Sequence, residues 1–269
     1  MDYKKVKDFW DQAAKTSGLD DKTNAGMLTE GNEFNSIYRR TSEHKHFLEL
    51  VDLNKSMRVL EVGSGGGRWS FFLADKVESV VGIDFSQAMV DIAMQGVKEN
   101  KVDNVHFYCG DMFDYQSDVE FDLVYFSGVL QYVTDDDLCK MVQKAKALLK
   151  SDGYIISRDT TQELRRVTNT DEYPVVYRMV DEYRTLFEKC GYNMDYTEVS
   201  YVPRRFSQFI SKFYSRRLLS YRLAFYIQTF LISINNLLGN PRFLMKDHYK
   251  SMLDSAGCRE HRFFRYIEK

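Results

Sequence analysis

Short apolar runs alternate with helical segments from Met57 onward, and no other feature of the chain restricts its fold so strongly. MRVLEV (57–62), SVVGID (79–84), VHFYCGD (105–111), FDLVYFSG (121–128) and GYIISRD (153–159) are each closed by a glycine or a polar residue. Between them RWSFFLADKV (68–77), QAMVDIAMQGVKEN (87–100) and residues 135–150 have helical character. Strand and helix alternating at this spacing predict parallel βαβ units in an open, doubly wound α/β sheet covered on both faces. The helix EYRTLFEKCG (182–191) ends in a C-cap glycine. After it, YNMDYTEVSYV (192–202) reads as a sixth strand and HRFFRYIEK (261–269) as a seventh.

The domain boundaries follow from this pattern. Residues 1–56 read as an N-terminal helical lid. It holds a helix over 3–16, with Val6, Phe9, Trp10 and Ala13 at helical spacing, a polar loop over 17–35, and a second helix around 42–51. Residues 57–202 form the α/β core, 203–258 a helical insertion, and 259–269 the last strand. With 269 residues, 44% of them apolar, the chain can bury a large core. No secretory signal opens it, and Cys109, Cys139, Cys190 and Cys258 form no C-x-x-C pair. The expectation is a cytoplasmic protein with neither a zinc cage nor a disulfide framework. His44 and His46 are two apart, which on a helix turns them in different directions.

A net charge of −2 conceals a basic module. No Asp or Glu occurs from Val199 to Lys246, where Arg204, Arg205, Lys212, Arg216, Arg217, Arg222, Arg242 and Lys246 stand, so the remainder is acidic. Within this insertion Leu223, Tyr226, Ile227, Phe230, Leu231, Ile234, Leu237 and Leu238 fill one apolar arc of a helical wheel. Three readings stay open: a lid over the acceptor, a peripheral membrane contact through 204–238, or a homodimer contact. Basic and aromatic residues interleave in RRFSQFISKFYSRR, but the acidic remainder argues against nucleic acid as a partner.

The chemistry is concentrated in Glu61-Val-Gly63-Ser64-Gly65-Gly-Gly67-Arg68, between the first strand and its helix. Missing Cβ atoms let a ligand approach the backbone, and the following helix start offers free N–H groups. Asp84 ends the second run, where an acidic side chain can accept from ribose hydroxyls. Asp111 ends the third, suited to an adenine amino group with Met112 and Phe85 against the ring. Phe126-Ser127-Gly128 ends the fourth. Glu61, Ser64 and Met89 complete the candidate cofactor set. Successive strand ends of an open parallel sheet border the crevice where ligands bind.

On these residues the chain resembles the class I S-adenosylmethionine-dependent methyltransferases of small-molecule type, from about Phe9 to Tyr201. The motifs that carry it are 59–70, 80–90, 110–115 and 121–133. The resemblance implies a Rossmann-like sheet of order 3-2-1-4-5-7-6 with strand 7 antiparallel. It implies S-adenosylmethionine as cofactor, with Gly63, Gly65 and Gly67 under its methionine part and Arg68 on its carboxylate. It also implies Asp84 on the ribose, Asp111–Met112 at the adenine and Ser127 alongside. A dinucleotide-binding dehydrogenase is the runner-up, but the third glycine of its G-x-G-x-x-G pattern would fall at Arg68. Base-modifying relatives carry Asn/Asp-Pro-Pro-Tyr where this chain has Phe126-Ser-Gly-Val, and metal-dependent ones place carboxylates there. Where relatives often have histidine, this chain has Gln131-Tyr132.

The expected reaction is methyl transfer to an oxygen or nitrogen of a small, anionic metabolite of sugar, nucleotide-linked or natural-product type. Asp159, at the end of the fifth strand, is the first candidate for orienting or deprotonating the acceptor, with Tyr132 and His248 behind it. Tyr38, Gln131, Arg158, Arg165, Tyr177 and Arg178 are the candidate acceptor contacts, because a guanidinium fork pairs well with carboxylate or phosphate. The alternatives are a lipid-linked acceptor at a membrane surface, a peptide α-amino group, and a cofactor-binding subunit without activity.

Overall fold

A run such as Val59–Val62 becomes a strand because neither of its faces can be left to water, and here both are covered. The computed structural model describes residues 1–16, 33–162, 165–169, 174–201, 223, 226–227 and 259–269. In chain order the elements are α1 (Tyr3–Thr16), α2 (Glu33–Leu50), β1 (Arg58–Val62), α3 (Arg68–Ala74), β2 (Ser79–Asp84), α4 (Gln87–Asn100), β3 (Val105–Cys109) and β4 (Phe121–Ser127). A single 3-10 turn, Leu130–Tyr132, follows. Then come α5 (Asp135–Lys146), β5 (Leu149–Gln162), β6 (Val167–Asn169), β7 (Val175–Tyr177), α6 (Val180–Lys189), β8 (Tyr192–Tyr201) and β9 (Arg259–Glu268).

Seven strands form one sheet in the order β3-β2-β1-β4-β5-β9-β8, with β9 antiparallel to both its neighbours. β8 and β9 are the sixth and seventh strands expected from the sequence, so the order 3-2-1-4-5-7-6 holds. Each face of the sheet has its own core. On one, Leu138, Val142, Ala145, Tyr183 and Phe187 of α5 and α6 pack against Leu60, Val124, Ile155 and Phe264. On the other, Phe47 of α2 and Trp69 of α3 meet Tyr125 and Phe263 in an aromatic cluster with centroids 5.0–5.9 Å apart around Phe47 and Trp69. Such edge and tilted contacts favour specific geometry beyond simple burial.

Three differences from the sequence reading have physical causes. α2 starts at Glu33 rather than near residue 42, because its inner face carries the buried charges Arg39 and Glu43 in place of an apolar stripe. β5 starts at Leu149, paired with Phe121, so the helix expected over 135–150 stops at Lys146, and the strand continues to Gln162, pairing with β9 as far as Arg259. The hairpin β6–β7 was not expected, since three residues per strand are too few to show a period of two. In the insertion only Leu223, Tyr226 and Ile227 are described; they are helical, and Leu223 and Tyr226 are exposed. Its remaining residues, and the roles expected of them, lie outside the described residues. Among the described residues no helix is long and apolar enough to cross a membrane.

Arg178 fastens this arrangement at one corner. Its fully buried guanidinium donates to Leu130 O (2.6 Å), Val133 O (2.7 Å) and Asp135 Oδ1 (2.9 Å). Burial alone would raise the Asp135 carboxyl, but Arg166 and Arg178 outweigh it and hold it below the usual carboxylate range. Replacing Arg178 strands two carbonyls without donors. Arg178→Met is therefore expected to lower unfolding stability by about 3 kcal/mol, read as a shift in urea midpoint at unchanged m.

Candidate active site

Three residues with positive φ shape the turn after β1: Gly63 (81°), Gly65 (51°) and Gly67 (85°). Gly63 N and Ser64 N donate to Ile83 O at 2.8 and 3.0 Å, drawing the turn onto the end of β2. A Cβ on Gly63 would meet Val129 Cγ1 at 2.1 Å, so that position is closed by the segment after β4. A Cβ on Gly65 would meet nothing within 4 Å. The backbone is bare there, with open space above it.

Asp84 ends β2 beside this turn and is 9% exposed. Its Oδ2 accepts from Gly65 N at 2.8 Å and its Oδ1 from Ser86 N at 2.9 Å. Burial pushes its carboxyl up to about 6, against the two backbone donors. Ser86 caps α4 by accepting from Met89 N, and donates to Asp11 of α1 at 2.5 Å. At its other end α1 is held by a Tyr3 hydroxyl to Asp137 hydrogen bond. Thus α1 bridges the segments that follow β2 and β4. Its Trp10 stands edge-on to Tyr132 at 6.0 Å, and Val6 packs with Tyr132, Val175 and Tyr177, with Phe85 against them.

The other expected cofactor residues divide into exposed and buried ones. Asp111 is exposed and accepts from Phe113 N in its own turn, while Met112 is buried in the core. Met89 is buried below Ala13 and Ala14 of α1, and Phe126 is fully buried. Ser127, half-buried, ends β4. Glu61 is fully buried, with the Ser70 hydroxyl on Oε2 at 2.5 Å and no partner on Oε1. Burial raises its carboxyl to about 7. The Ser64 hydroxyl is buried without a partner as well.

A second polar centre lies on the α2 side. Glu43 Oε1 accepts from Arg39 Nε (2.8 Å) and Arg158 Nη1 (3.0 Å), and Oε2 accepts from Arg68 Nη2 (3.0 Å). Burial would raise the Glu43 carboxyl, but Arg158, Arg39 and Arg68 outweigh it and hold it well below the usual range. His261 of β9 adds no charge: burial, with Arg39 nearby, keeps it neutral. Three guanidiniums therefore face one carboxylate. Arg68 Nη1 and Arg158 Nε are buried with no hydrogen-bond partner. Arg158 approaches the end of β4 where Gly128 (φ 79°) leaves room, since a Cβ there would stand 2.7 Å from Arg158 Nη2.

Asp159 faces away from Arg158, as alternate residues of a strand do. It is 1% exposed, burial lifts its carboxyl to about 6, and neither oxygen has a hydrogen-bond partner. Ser157, Tyr183 and Tyr266 have hydroxyls buried without partners on the same side of the sheet. Gln131 Oε1 accepts from Thr160 N at 3.3 Å. Tyr132 and Tyr177 are buried under α1. Arg165 is exposed, and Arg178 is engaged by the three protein acceptors given above. Tyr38 belongs to α2, but its side chain, like all of His248, lies outside the described residues.

With this geometry in view, comparison with known proteins is decisive for the family. A family profile for a methyltransferase domain matches residues 53–257. The chain belongs to the methyltransferase-domain family. A phosphoethanolamine N-methyltransferase of Zea mays is 28% identical over 159 residues, 58% of this chain and 31% of that protein. A ubiquinone biosynthesis O-methyltransferase of Coxiella burnetii is 31% identical over 110 residues, 40% of this chain and 46% of that one. The chain spans about a third to a half of the length of these relatives. The Haemonchus contortus phosphoethanolamine N-methyltransferase 1, solved with phosphoethanolamine and S-adenosylhomocysteine, superposes with a TM-score of 0.61. That match has 15% identity and covers 98% of this chain and 48% of that one.

The fold is that of the class I S-adenosylmethionine-dependent methyltransferases, whose cofactor is S-adenosylmethionine. The residues fit it: bare backbone at Gly65, a carboxylate at Asp84 with lone pairs left for hydroxyls, and an unpartnered N–H on Arg68. Sequence reasoning missed Arg39, Glu43, His261 and the Asp11–Ser86 link. The i,i+4 pairing of Arg39 and Glu43 was the one visible signal, and it reads equally as a surface ion pair.

A raised Asp84 has consequences of opposite sign for binding and stability. Only the carboxylate accepts from two hydroxyls, so affinity for S-adenosylhomocysteine should rise as pH climbs from 5 to 7, and Asp84→Asn should flatten that rise in calorimetric titrations. The Asp84 contribution to stability of the unliganded protein is full below the unfolded pKa near 4 and is lost as pH rises through about 6.

Proposed function

We propose that this methyltransferase moves the methyl group of S-adenosylmethionine to an oxygen or nitrogen of a small anionic metabolite. The observation that carries the anionic part is the buried excess of guanidinium around Glu43, with Arg68 beside the glycine turn and Arg158 of β5 beside Ser127 at the end of β4. Buried charge without a counter-charge is costly, so an anion entering here is bound strongly. Of the relatives, the phosphoethanolamine N-methyltransferases are named for an acceptor that carries a phosphate next to an amine, which supports this reading; the ubiquinone biosynthesis O-methyltransferase is not.

The cofactor supplies an already activated methyl group. The protein's task is alignment and the exclusion of water, which together can lower a barrier by several kcal/mol. The glycine turn would run under the methionine part, Asp84 would hold the ribose, and Arg68 the cofactor carboxylate. Trp10, Tyr132 and Tyr177, pressed together by α1, form a lid that keeps water from the crevice. Arg158 orients the acceptor's anionic group. Asp159, ionised above about pH 6, takes the acceptor proton or fixes its direction.

Titration with S-adenosylhomocysteine tests the cofactor half. Micromolar binding is expected, weakened at least tenfold (about 1.4 kcal/mol) by Asp84→Ala, with no heat from NADH. A turnover screen pairing phosphorylated amines, phospho-sugars, nucleotide sugars and hexuronates with neutral counterparts tests the acceptor half. Anionic members should be preferred, and Arg158→Gln should lower their kcat/KM tenfold or more. A neutral acceptor turned over equally well by wild type and Arg158→Gln would refute it.

A further inference from the structure

Strands covered on both faces are apolar as a rule, yet the α6 side of β5 presents Ser157 and Asp159 in succession, 0% and 1% exposed. The register sets Ile155 opposite Tyr266 and Ser157 opposite Phe264, and Tyr183 of α6 packs on Phe264 with ring centroids 5.1 Å apart. Tyr266 is fixed in turn by stacking on Phe187 at 3.5 Å. Both tyrosines are fully buried. Ser157 is near enough to Asp159 and Tyr266 to favour their charged forms, and Tyr183 feels the Asp159 charge. Both carboxylate oxygens of Asp159 and the hydroxyls of Ser157, Tyr183 and Tyr266 thus gather here, and none of them makes a hydrogen bond. Buried polar atoms are nearly always hydrogen-bonded, so a cluster left without partners marks a place for one.

Among the described residues no cation closes on Asp159. Arg178 commits its guanidinium to Leu130 O, Val133 O and Asp135. Arg158 points to the other face, toward Glu43, and Arg262, opposite Asp159 on β9, makes no hydrogen bond to it. We propose that this oxygen cluster receives an ammonium group of the acceptor, and that the methyl group goes to that nitrogen. The acceptor class is then an amine that also carries a phosphate or carboxylate, a step that rests on reading Arg158 as the contact for an anionic group.

The two mismatched charges stand side by side. Adjacent strand residues have Cα atoms about 3.8 Å apart and side chains on opposite faces, so Arg158 and Asp159 bracket the end of β5. β4 stops at Ser127, which pairs with Arg158, so from Asp159 onward β5 has run past its β4 neighbour. An acceptor carrying both charges satisfies both residues at once. A hydroxyl would bring one donor and no charge to Asp159, whereas an ammonium brings a positive charge and three donors to a carboxylate and three hydroxyls. Asp159 accepts one ammonium proton and leaves a neutral amine. The amine lone pair forms a bond to the methyl carbon, the carbon–sulfur bond breaks with its electron pair left on sulfur, and the methylated nitrogen carries the positive charge. Ser157, Tyr183 and Tyr266 are positioning residues, holding the N–H groups and the carboxylate in line.

The test is calorimetric titration of the S-adenosylhomocysteine-loaded protein with matched compounds: phosphoethanolamine against 2-hydroxyethyl phosphate, glucosamine 6-phosphate against glucose 6-phosphate, and ethanolamine against ethylene glycol. In at least one pair the amine should bind tenfold or more tightly, and turnover with S-adenosylmethionine should yield its N-methyl product by mass spectrometry. Asp159→Asn should abolish the preference while S-adenosylhomocysteine affinity is kept, and Arg158→Gln should weaken both phosphate-bearing members alike. Should Asp159→Asn fail to fold, Tyr183→Phe keeps the ring and removes the hydroxyl, and should cut the amine preference several-fold. Preference for ethanolamine without any binding of the phosphates would refute the anionic reading and support the amine site. Equal binding of amine and hydroxyl partners, binding of neither, or an amine preference that survives in both variants would overturn it.

Discussion

The Glu43 carboxylate accepts hydrogen bonds from guanidiniums carried by α2, α3 and β5, and its removal would leave three buried cations facing one another. Charge-assisted bonds of this kind are strong, and breaking a buried pair costs about 3–5 kcal/mol. They fix α2 against the sheet, and they set Arg68 at the mouth of the glycine turn. His261, neutral beside Arg39, brings β9 into the same network. The antiparallel strand near the sheet edge is thereby tied to the centre of the crevice.

A lighter chain of contacts organises the opposite rim. Asp84 holds the glycine turn through Gly65 N and the start of α4 through Ser86, and the Ser86 hydroxyl passes the connection to Asp11. The carboxylate suited to the cofactor's hydroxyls thus also positions α1 indirectly. Filling the crevice and closing α1 over it are then linked by two side chains. The Trp10–Tyr132 contact completes the apolar cover.

The sheet was legible because each of its strands has a clear local signature: a β-branched or aromatic run with a polar or glycine end. The glycine turn and Asp84 were legible because their chemistry constrains residue type. Arg39 and Glu43 were not, since a helix face built from buried charges has the periodicity of a surface face. The hairpin β6–β7 hid its pattern in three-residue strands. Asp159 was visible as a residue but not as an environment. Only the packed structure, with Tyr183 and Tyr266 close by, shows that its carboxylate is nearly shut away from solvent.

The arginine-rich stretch shows how far residue type alone can carry a function. Arg158, Arg165, Arg166 and Arg178 read alike in sequence, as forks suited to an anion. Folding separates them. Arg178 donates to two backbone carbonyls and Asp135, Arg166 pairs bidentately with the same Asp135, and Arg165 is exposed. Arg158 alone of the four shares its carboxylate with two further guanidiniums and keeps a buried N–H without a partner. A cation whose counter-charge is divided three ways gains most from another anion. The capacity to bind one is therefore decided less by the number of arginines than by how few carboxylates the fold supplies to them.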